Sequence, residues 1–353
     1  MVSLSFNSKT VLTLKPETGS PQLNHAIEFC NDWLNGKQAF SFHTSGSTGT
    51  PKHILLQRTQ LEASAMATID ALRLTANEKI YVCLNTQLIA GTMMLVRGMM
   101  LGCEIFVDEP TSDPLNHISA NHDFTFASFV PMQFHALLTS SENEMEKLNR
   151  FQHILIGGAA INAALEKKIG ELKCNVFHTY GMTETVSHIA LRKIGIETFY
   201  TALEGVQLKT DERGCLCICS ASTNSEWIVT NDLVDLFAPN KFKLLGRADE
   251  VINSGGIKIF PSKVEEALHE SMHDLDVNDY FVGAEEDEKL GQKLICVVRG
   301  NPFTAMQEEK IKETLMRKLS RFEIPSQYYF VDFFELTPSG KTDKYATINL
   351  LKN

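Results

Sequence analysis

The sequence predicts an α/β protein. A large amino-terminal domain of mainly parallel, helix-covered sheet carries a small strand-rich subdomain and is followed by a smaller α+β carboxy-terminal domain. Three observations lead there. Apolar stretches of strand length alternate with stretches of helical period from residue 38 to the 190s, the pattern of strands joined by crossover helices. After residue 200 the texture changes to short apolar runs between turns, as in an antiparallel sheet or small barrel. A second mixed unit then runs to the end of the 353 residues, a length for which two cores are expected. The division is drawn as 1–246 and 247–353.

In order, "QAFSFHTS" (38–45) alternates apolar and polar residues, as a strand delivering a loop does, and "QRTQLEASAMATIDALRL" (57–74) has the apolar spacing of a helix. "KIYVCLN" is a strand, 91–101 a helix, "CEIFVD" and "FTFASFVP" strands, and "MQFHALLTS" a helix. "FQHILIGGAA" repeats a strand and glycine turn, with Gly158 in the turn, and "NAALEKKIGEL" is a helix. "CNVFHTYGMTETVSHIAL" (174–191) is a strand entering a polar loop. "GCLCICS" and "EWIVT" are the short strands beyond 200. From 241, "KFKLLGRADEVINSGGIKIFPSKVEEALHE" reads as a strand, a charged turn, a double glycine, a strand and a helix begun after Pro261. "DYFVGAEEDEKLGQKLICVVRG", helix "QEEKIKETLMRKLS" and strand "QYYFVDFFEL" complete the second unit, with a hinge near Arg247 to Glu250.

Apolar content of 43% and charged content of 22% are ordinary for a soluble globular chain. A net charge of −10 argues against a general nucleic-acid or anionic-membrane surface, so an anionic ligand has to be met by local groups. The eight cysteines contain no CxxC pair, and reduced buried thiols are expected. Cys215, Cys217 and Cys219 alternate along a strand and so share one face, without the spacing of a zinc site. The start of the chain lacks a basic segment, a long apolar run and a small-residue cleavage site, so a cytoplasmic location is expected. The most apolar window, 88–107, has the length of a membrane span but carries Arg97 and three glycines, and reads as a buried helix running into a strand.

"TSGSTGTPK" (44–52) is rich in unhindered backbone N–H groups and hydroxyls and adds the charge of Lys52, an inventory that suits a polyphosphate. The alternative for such a run is a flexible linker. It is not a Walker A loop, because Lys52 is followed by His53. The stretch resembles the phosphate loop of the adenylate-forming superfamily of acyl-CoA synthetases, peptide-synthetase adenylation domains and luciferases, matching Thr44, Ser45, Gly46, Ser47, Thr48, Gly49 and Lys52 at their positions. Three further stretches resemble that family's motifs in the family's order. They are "YGMTE" (180–184), the block from Asp232 through "GRADE" to the double glycine, and "LTPSGKTDK" (336–344).

The resemblance implies a fold of a large and a mobile small domain, with ATP, Mg²⁺ and CoA as the reagents. It implies that Tyr180 packs on adenine within a site that includes Gly158, Gly181 and Met182, that Thr183 meets the α-phosphate and that Glu184 holds Mg²⁺. Asp232 and Arg247 would meet the ribose, Asp249 would be the hinge, and Lys341 would complete the adenylating site. Gly255 and Gly256 would let the backbone approach a pantetheine arm, although a β-turn requiring positive φ explains them equally on the residues alone. A carboxylate attacking the α-phosphorus brings two anions together, so the residue types fit the charge the reaction has to neutralise.

Only 43 residues precede the phosphate loop, far fewer than in typical members, which implies a shortened amino-terminal domain and an altered acyl pocket. Asn85 and Leu88 stand where members usually show Pro and His or an aromatic. Within the superfamily, "HTYGMTETVSHIAL" and the Arg six residues after Gly91 most resemble the o-succinylbenzoate-CoA ligases of menaquinone biosynthesis. A dicarboxylate needs one carboxylate held while the other reacts, and Arg97, with Ser187 and His188, is the candidate clamp. The other readings make Arg97 a snorkelling or ion-paired helix residue and His188 a structural histidine. The expected partners are thus a small carboxylic acid, ATP and CoA, with neither nucleic acid nor a membrane span. An oligomer is compatible with the sequence, and the alternative readings are a stand-alone adenylation domain that loads a carrier protein and a CoA ligase for another aromatic or aliphatic acid.

Overall fold

The computed structural model describes the chain except residues 7–10, 14–19, 44–52, 141, 162, 276, 278, 337–341 and 352–353. It opens with an antiparallel pair, β1 (Val2–Phe6) and β2 (Val11–Thr13), and helix α1 (Pro21–Leu34). Ser20 caps α1 by accepting from the Leu23 N–H, and Pro21 fills a first-turn position whose N–H has no helical partner. The hairpin β3 (Ala39–His43) and β4 (His53–Gln57) comes next, then α2 (Arg58–Leu72). The centre of the fold is built by β5 (Lys79–Val82), α3 (Ile89–Leu101), β6 (Glu104–Val107), β7 (Phe126–Phe129), α4 (Pro131–Ser140), α5 (Glu142–Leu148), β8 (His153–Ile156), α6 (Ala163–Ile169) and β9 (Asn175–Gly181). Then come β10 (His188–Lys193), β11 (Tyr200–Ala202), β12 (Gln207–Thr210), β13 (Cys215–Cys219), β14 (Ile228–Ala238) and β15 (Lys241–Arg247).

Among the described residues these strands, β3 and β4 apart, join into one 13-stranded sheet in the order β12-β13-β14-β15-β11-β10-β9-β8-β7-β5-β6-β1-β2. The run from β6 to β9 is parallel, as the strand–helix alternation predicts. β10 turns back against β9, and the strand-rich part expected beyond 200 is hydrogen-bonded onto the main sheet through it. Alternation along β5 divides the core. Ile80 and Val82 join one cluster with Leu61, Ala65 and Ile69 of α2 and Met93 to Val96 of α3, whereas Tyr81 joins Phe134 of α4 and Ile169 of α6 in another. Sandwiched in this way, α3 is buried from Gly91 to Gly98. No described helix is long and apolar enough to cross a membrane.

β1, β2 and α1 were not expected from the sequence, nor was the separate pairing of β3 with β4. The three cysteines of β13 are buried free thiols.

Residues 252–351 hold a second sheet with its own cores. Its elements are β16 (Ile252–Ser254), β17 (Ile257–Ile259), α7 (Pro261–Asp274), β18 (Tyr280–Asp287), β19 (Gly291–Arg299), α8 (Ala305–Lys318), β20 (Gln327–Val331) and α9 (Lys344–Leu350). Val264 and Leu268 of α7 and Ile311 and Leu315 of α8 pack on one face of this sheet, and Ile348 of α9 on the other.

Candidate functional site

Two side-chain clusters hang from the junction of β9 and β10 at the carboxyl ends of the parallel strands, where open α/β sheets place their ligands. Alternation along β9 points Val176, His178 and Tyr180 inward. Tyr180 is 8% exposed, edge-on to Phe242 at 5.1 Å between ring centroids, and donates its hydroxyl to Asp232 Oδ2 at 2.6 Å. Burial and the Asp232 carboxylate raise its phenol well above the ordinary value. Asp232 on β14 lies opposite Arg247 on β15, whose Nη1 donates to Asp232 Oδ1 at 3.2 Å. The same guanidinium grips Asp249 through two parallel hydrogen bonds of 3.0 and 2.8 Å. Its hydrogen bonds to Asp249 hold Arg247 above its ordinary value.

Gly181 and His188 are register partners where the strands meet, and a Cβ at Gly181 would sit 2.2 Å from the Ser187 carbonyl oxygen. No larger residue fits this close approach. The turn between them is stapled by Thr185, fully buried, whose hydroxyl accepts from the Met182 N–H at 3.0 Å and donates to the Ser187 carbonyl at 2.8 Å. Val186 follows at φ 69° and ψ −57°, a conformation that a buried β-branched residue adopts only when its surroundings enforce it, at about 1–3 kcal/mol. The turn thus holds Met182 and Thr183 half-buried and Glu184 exposed, and Glu184 has no hydrogen-bond or ion-pair partner among the described residues.

The second cluster surrounds Arg97, which is 2% exposed in the middle of α3. Its Nη2 donates to Ser187 Oγ at 3.3 Å and its Nη1 meets Met94 Sδ at 3.6 Å, while Nε has no partner. Among the described residues no carboxylate pairs with it, and burial pushes its guanidinium down to about 9. The chain of donors beyond it has one consistent direction. Thr68 Oγ1 donates to the Ser64 carbonyl at 3.2 Å, so it accepts from His188 Nε2–H at 3.0 Å. That leaves His188 Nδ1 to accept from the Ser187 hydroxyl at 3.4 Å. Burial, and then the charge of Arg97, hold the His188 ring neutral, well below its ordinary value. The cluster thus sets a guanidinium beside a hydroxyl, with a neutral imidazole behind them.

Tyr180, Gly181, Met182, Thr183, Glu184, Asp232, Arg247 and Asp249 are thus brought together around one end of β9, and Arg97, Ser187 and His188 around the start of β10. Arg97 neither snorkels nor forms an ion pair among the described residues. Gly158 lies in the exposed turn after β8. Gly255 and Gly256 form the two-residue β16–β17 turn at φ 57° and 83°, on the second sheet. Thr44, Ser45, Gly46, Ser47, Thr48, Gly49, Lys52 and Lys341 lie outside the described residues. Sequence reasoning missed Thr68 and Thr185. Thr68 had a signal, since with Ser64 it interrupts, at helical spacing, the apolar face formed by Leu61, Ala65 and Ile69.

A family profile described as AMP-binding enzyme matches residues 12–212. A crystal structure of an acyl-CoA synthetase (AMP-forming)/AMP-acid ligase II-like protein from Dyadobacter fermentans is 42% identical, covers 96% of both chains and has a TM-score of 0.64. The O-succinylbenzoate coenzyme A synthetase of Bacillus subtilis, solved with ATP and magnesium ion, shares the fold at TM-score 0.74 and 22% identity, over 89% of this chain and 69% of that one. The 2-succinylbenzoate–CoA ligase of Haemophilus influenzae is 25% identical over 81% of this chain, and the match spans 65% of that relative, so this chain corresponds to about two thirds of it.

Proposed function

The chain belongs to the AMP-binding enzyme family, and from that premise we propose that it is an AMP-forming acid–CoA ligase acting on o-succinylbenzoate, as in menaquinone biosynthesis. A carboxylate oxygen of the acid attacks the α-phosphorus of ATP and pyrophosphate leaves. The CoA sulfur then attacks the acyl carbon, AMP departs with the bonding pair, and the thiol proton passes to solvent. The substrate reading is carried by one observation, the buried Arg97 guanidinium that has no carboxylate partner among the described residues and lies beside Ser187. The second carboxylate of a dicarboxylic acid supplies the missing charge and leaves the first free to react. The names of the H. influenzae and B. subtilis relatives support the same acid.

In this reading the adenosine lies at Gly158, Tyr180, Gly181 and Met182, with Asp232 and Arg247 at the ribose and Thr183 at the α-phosphate. Residues 44–49 and Lys52 meet the triphosphate. No described group of three or more His, Cys, Asp or Glu could hold a metal ion. The exposed, unpartnered Glu184 therefore fits Mg²⁺ held jointly with phosphate oxygens, the usual mode for this ion. Mg²⁺ would neutralise charge on the phosphates. Residues 1–246 and 247–353 act as two domains. Lys341 completes the first half-reaction, and rotation about Asp249 then presents Gly255 and Gly256 to the pantetheine arm. The use of ATP and CoA fits a cytoplasmic location.

The test is purified protein with ATP, Mg²⁺, CoA and a panel of aromatic and aliphatic acids including o-succinylbenzoate, followed by mass spectrometry of thioesters. The expected product is o-succinylbenzoyl-CoA, and Lys341→Ala should lose adenylation yet still convert supplied acyl-adenylate. Pyrophosphate exchange without any CoA thioester would favour a carrier protein as acceptor, and a thioester of a different acid would overturn the substrate.

A further inference from the structure

Beneath Tyr180, on the same face of β9, a polar relay crosses five elements. His178 is 7% exposed, and its Nε2 lies 3.1 Å from the Ala159 carbonyl, next to Gly158. A carbonyl only accepts, so Nε2 carries the proton and Nδ1 is the acceptor. Nδ1 receives the Tyr200 hydroxyl at 2.7 Å, with Arg192 Nη2 at 3.4 Å. Arg192 is in turn anchored by Glu166 of α6. The Tyr200 ring stacks on Phe242 at 5.3 Å, and Phe242 is the ring against which Tyr180 packs. Burial is the main reason the imidazole is pushed down to about 4, which keeps it neutral and the donor direction constant near pH 7.

The turn that His178 grips is otherwise exposed at Gly158, Ala159 and Ala160. One imidazole therefore ties this turn to the strand that carries Tyr180, and its ring is locked by groups from β10 and β11. We propose that His178 is a positioning residue, fixing the 157–160 turn at its distance from Tyr180 and so setting the affinity for the nucleoside end of ATP. The inference rests on the reading of Gly158 and Tyr180 as the adenosine site. His178 touches no reacting atom in this account, so its removal acts on nucleotide binding and leaves the chemical step and the acid site alone.

The experiment compares wild type, His178→Ala, His178→Gln and Tyr200→Phe in the full chain, by calorimetry with AMP and by pyrophosphate exchange. A lost neutral hydrogen bond corresponds to about tenfold in affinity. His178→Ala should raise the AMP dissociation constant and the KM for ATP about tenfold, with kcat and the KM for the acid within about twofold. His178→Gln, whose amide N–H can donate to the Ala159 carbonyl, should recover most of the loss. Tyr200→Phe, which keeps the ring on Phe242 but leaves Nδ1 to Arg192 Nη2 alone, should lie between. A folded His178→Ala that binds AMP like wild type overturns the inference. So does an equal rise in the KM for the acid, or a Gln variant no better than Ala. A wild type that binds no AMP or ATP overturns the reading of the adenosine site, and this inference with it.

Discussion

Replacing Arg97 by Met should make the free protein more stable and the enzyme worse. The fall of the guanidinium from 12.5 to about 9 corresponds to about 5 kcal/mol spent on holding its charge in the dry interior of α3. Below that folded value the group is charged in both folded and unfolded chains, so the whole penalty is present at pH 7. Met has a similar volume, already has Met94 as a neighbour, and leaves Ser187 bonded to His188. Relief of the charge, discounted for lost packing, should amount to about 2 kcal/mol, or ~3 °C in the thermal midpoint. Loss of a bidentate contact to the held carboxylate should remove about 3 kcal/mol of binding, ~10²-fold in KM. The assay is thermal unfolding of the free protein beside steady-state thioester formation. It uses o-succinylbenzoate and the analogue that lacks its ring carboxylate. The variant should lose selectivity, since only the dicarboxylate loses a contact. A lower midpoint together with an unchanged KM for the dicarboxylate would refute the argument, because Arg97 would then be a structural residue.

Tyr180→Phe removes the 2.6 Å donor to Asp232 and leaves that carboxylate to Arg247 alone, so stability should fall by about 1–3 kcal/mol, read from urea unfolding. His178 and His188 are both held below the ordinary 6.5 chiefly by burial. The unfolded chain therefore takes up their protons first as pH falls, so their contribution is full above about pH 6.5 and declines toward pH 4 by up to about 1.4 kcal/mol per pH unit per ring. Urea midpoints at pH 7.5 and 5.0 check this, and His178→Gln should reduce the difference. Gly181→Ala drives a methyl onto the Ser187 carbonyl and should part β9 from β10, weakening ATP and acid binding together by about 1–3 kcal/mol each. Calorimetry that finds only one ligand affected would separate the two clusters.

Much of the fold was legible in local pattern. The apolar run at 79–85 and the strand-like stretch entering a polar loop at 174–191 marked β5 and β9, the helical spacing of 57–74 marked α2, and Pro261 marked the start of α7. The edge pair β1 and β2 was not legible, because three to five residues of strand have too little periodicity to stand out. In the candidate site the residue types could be named in advance and their partners could not. Apolar spacing says that position 97 lies on a buried helix, not what faces it.

The sequence by itself determined the chemistry on offer: hydroxyls and glycines at 44–49, a carboxylate at Glu184, a cation in the middle of an apolar helix, and a double glycine suited to a turn with positive φ. Only the tertiary structure decided that Arg97 meets Ser187 across 90 residues of chain, that Thr68 meets His188 across 120, and that no described carboxylate neutralises Arg97. The physical reason is that burial follows from local amphipathicity. Charge compensation and hydrogen-bond direction depend on which distant strands and helices the sheet order brings side by side.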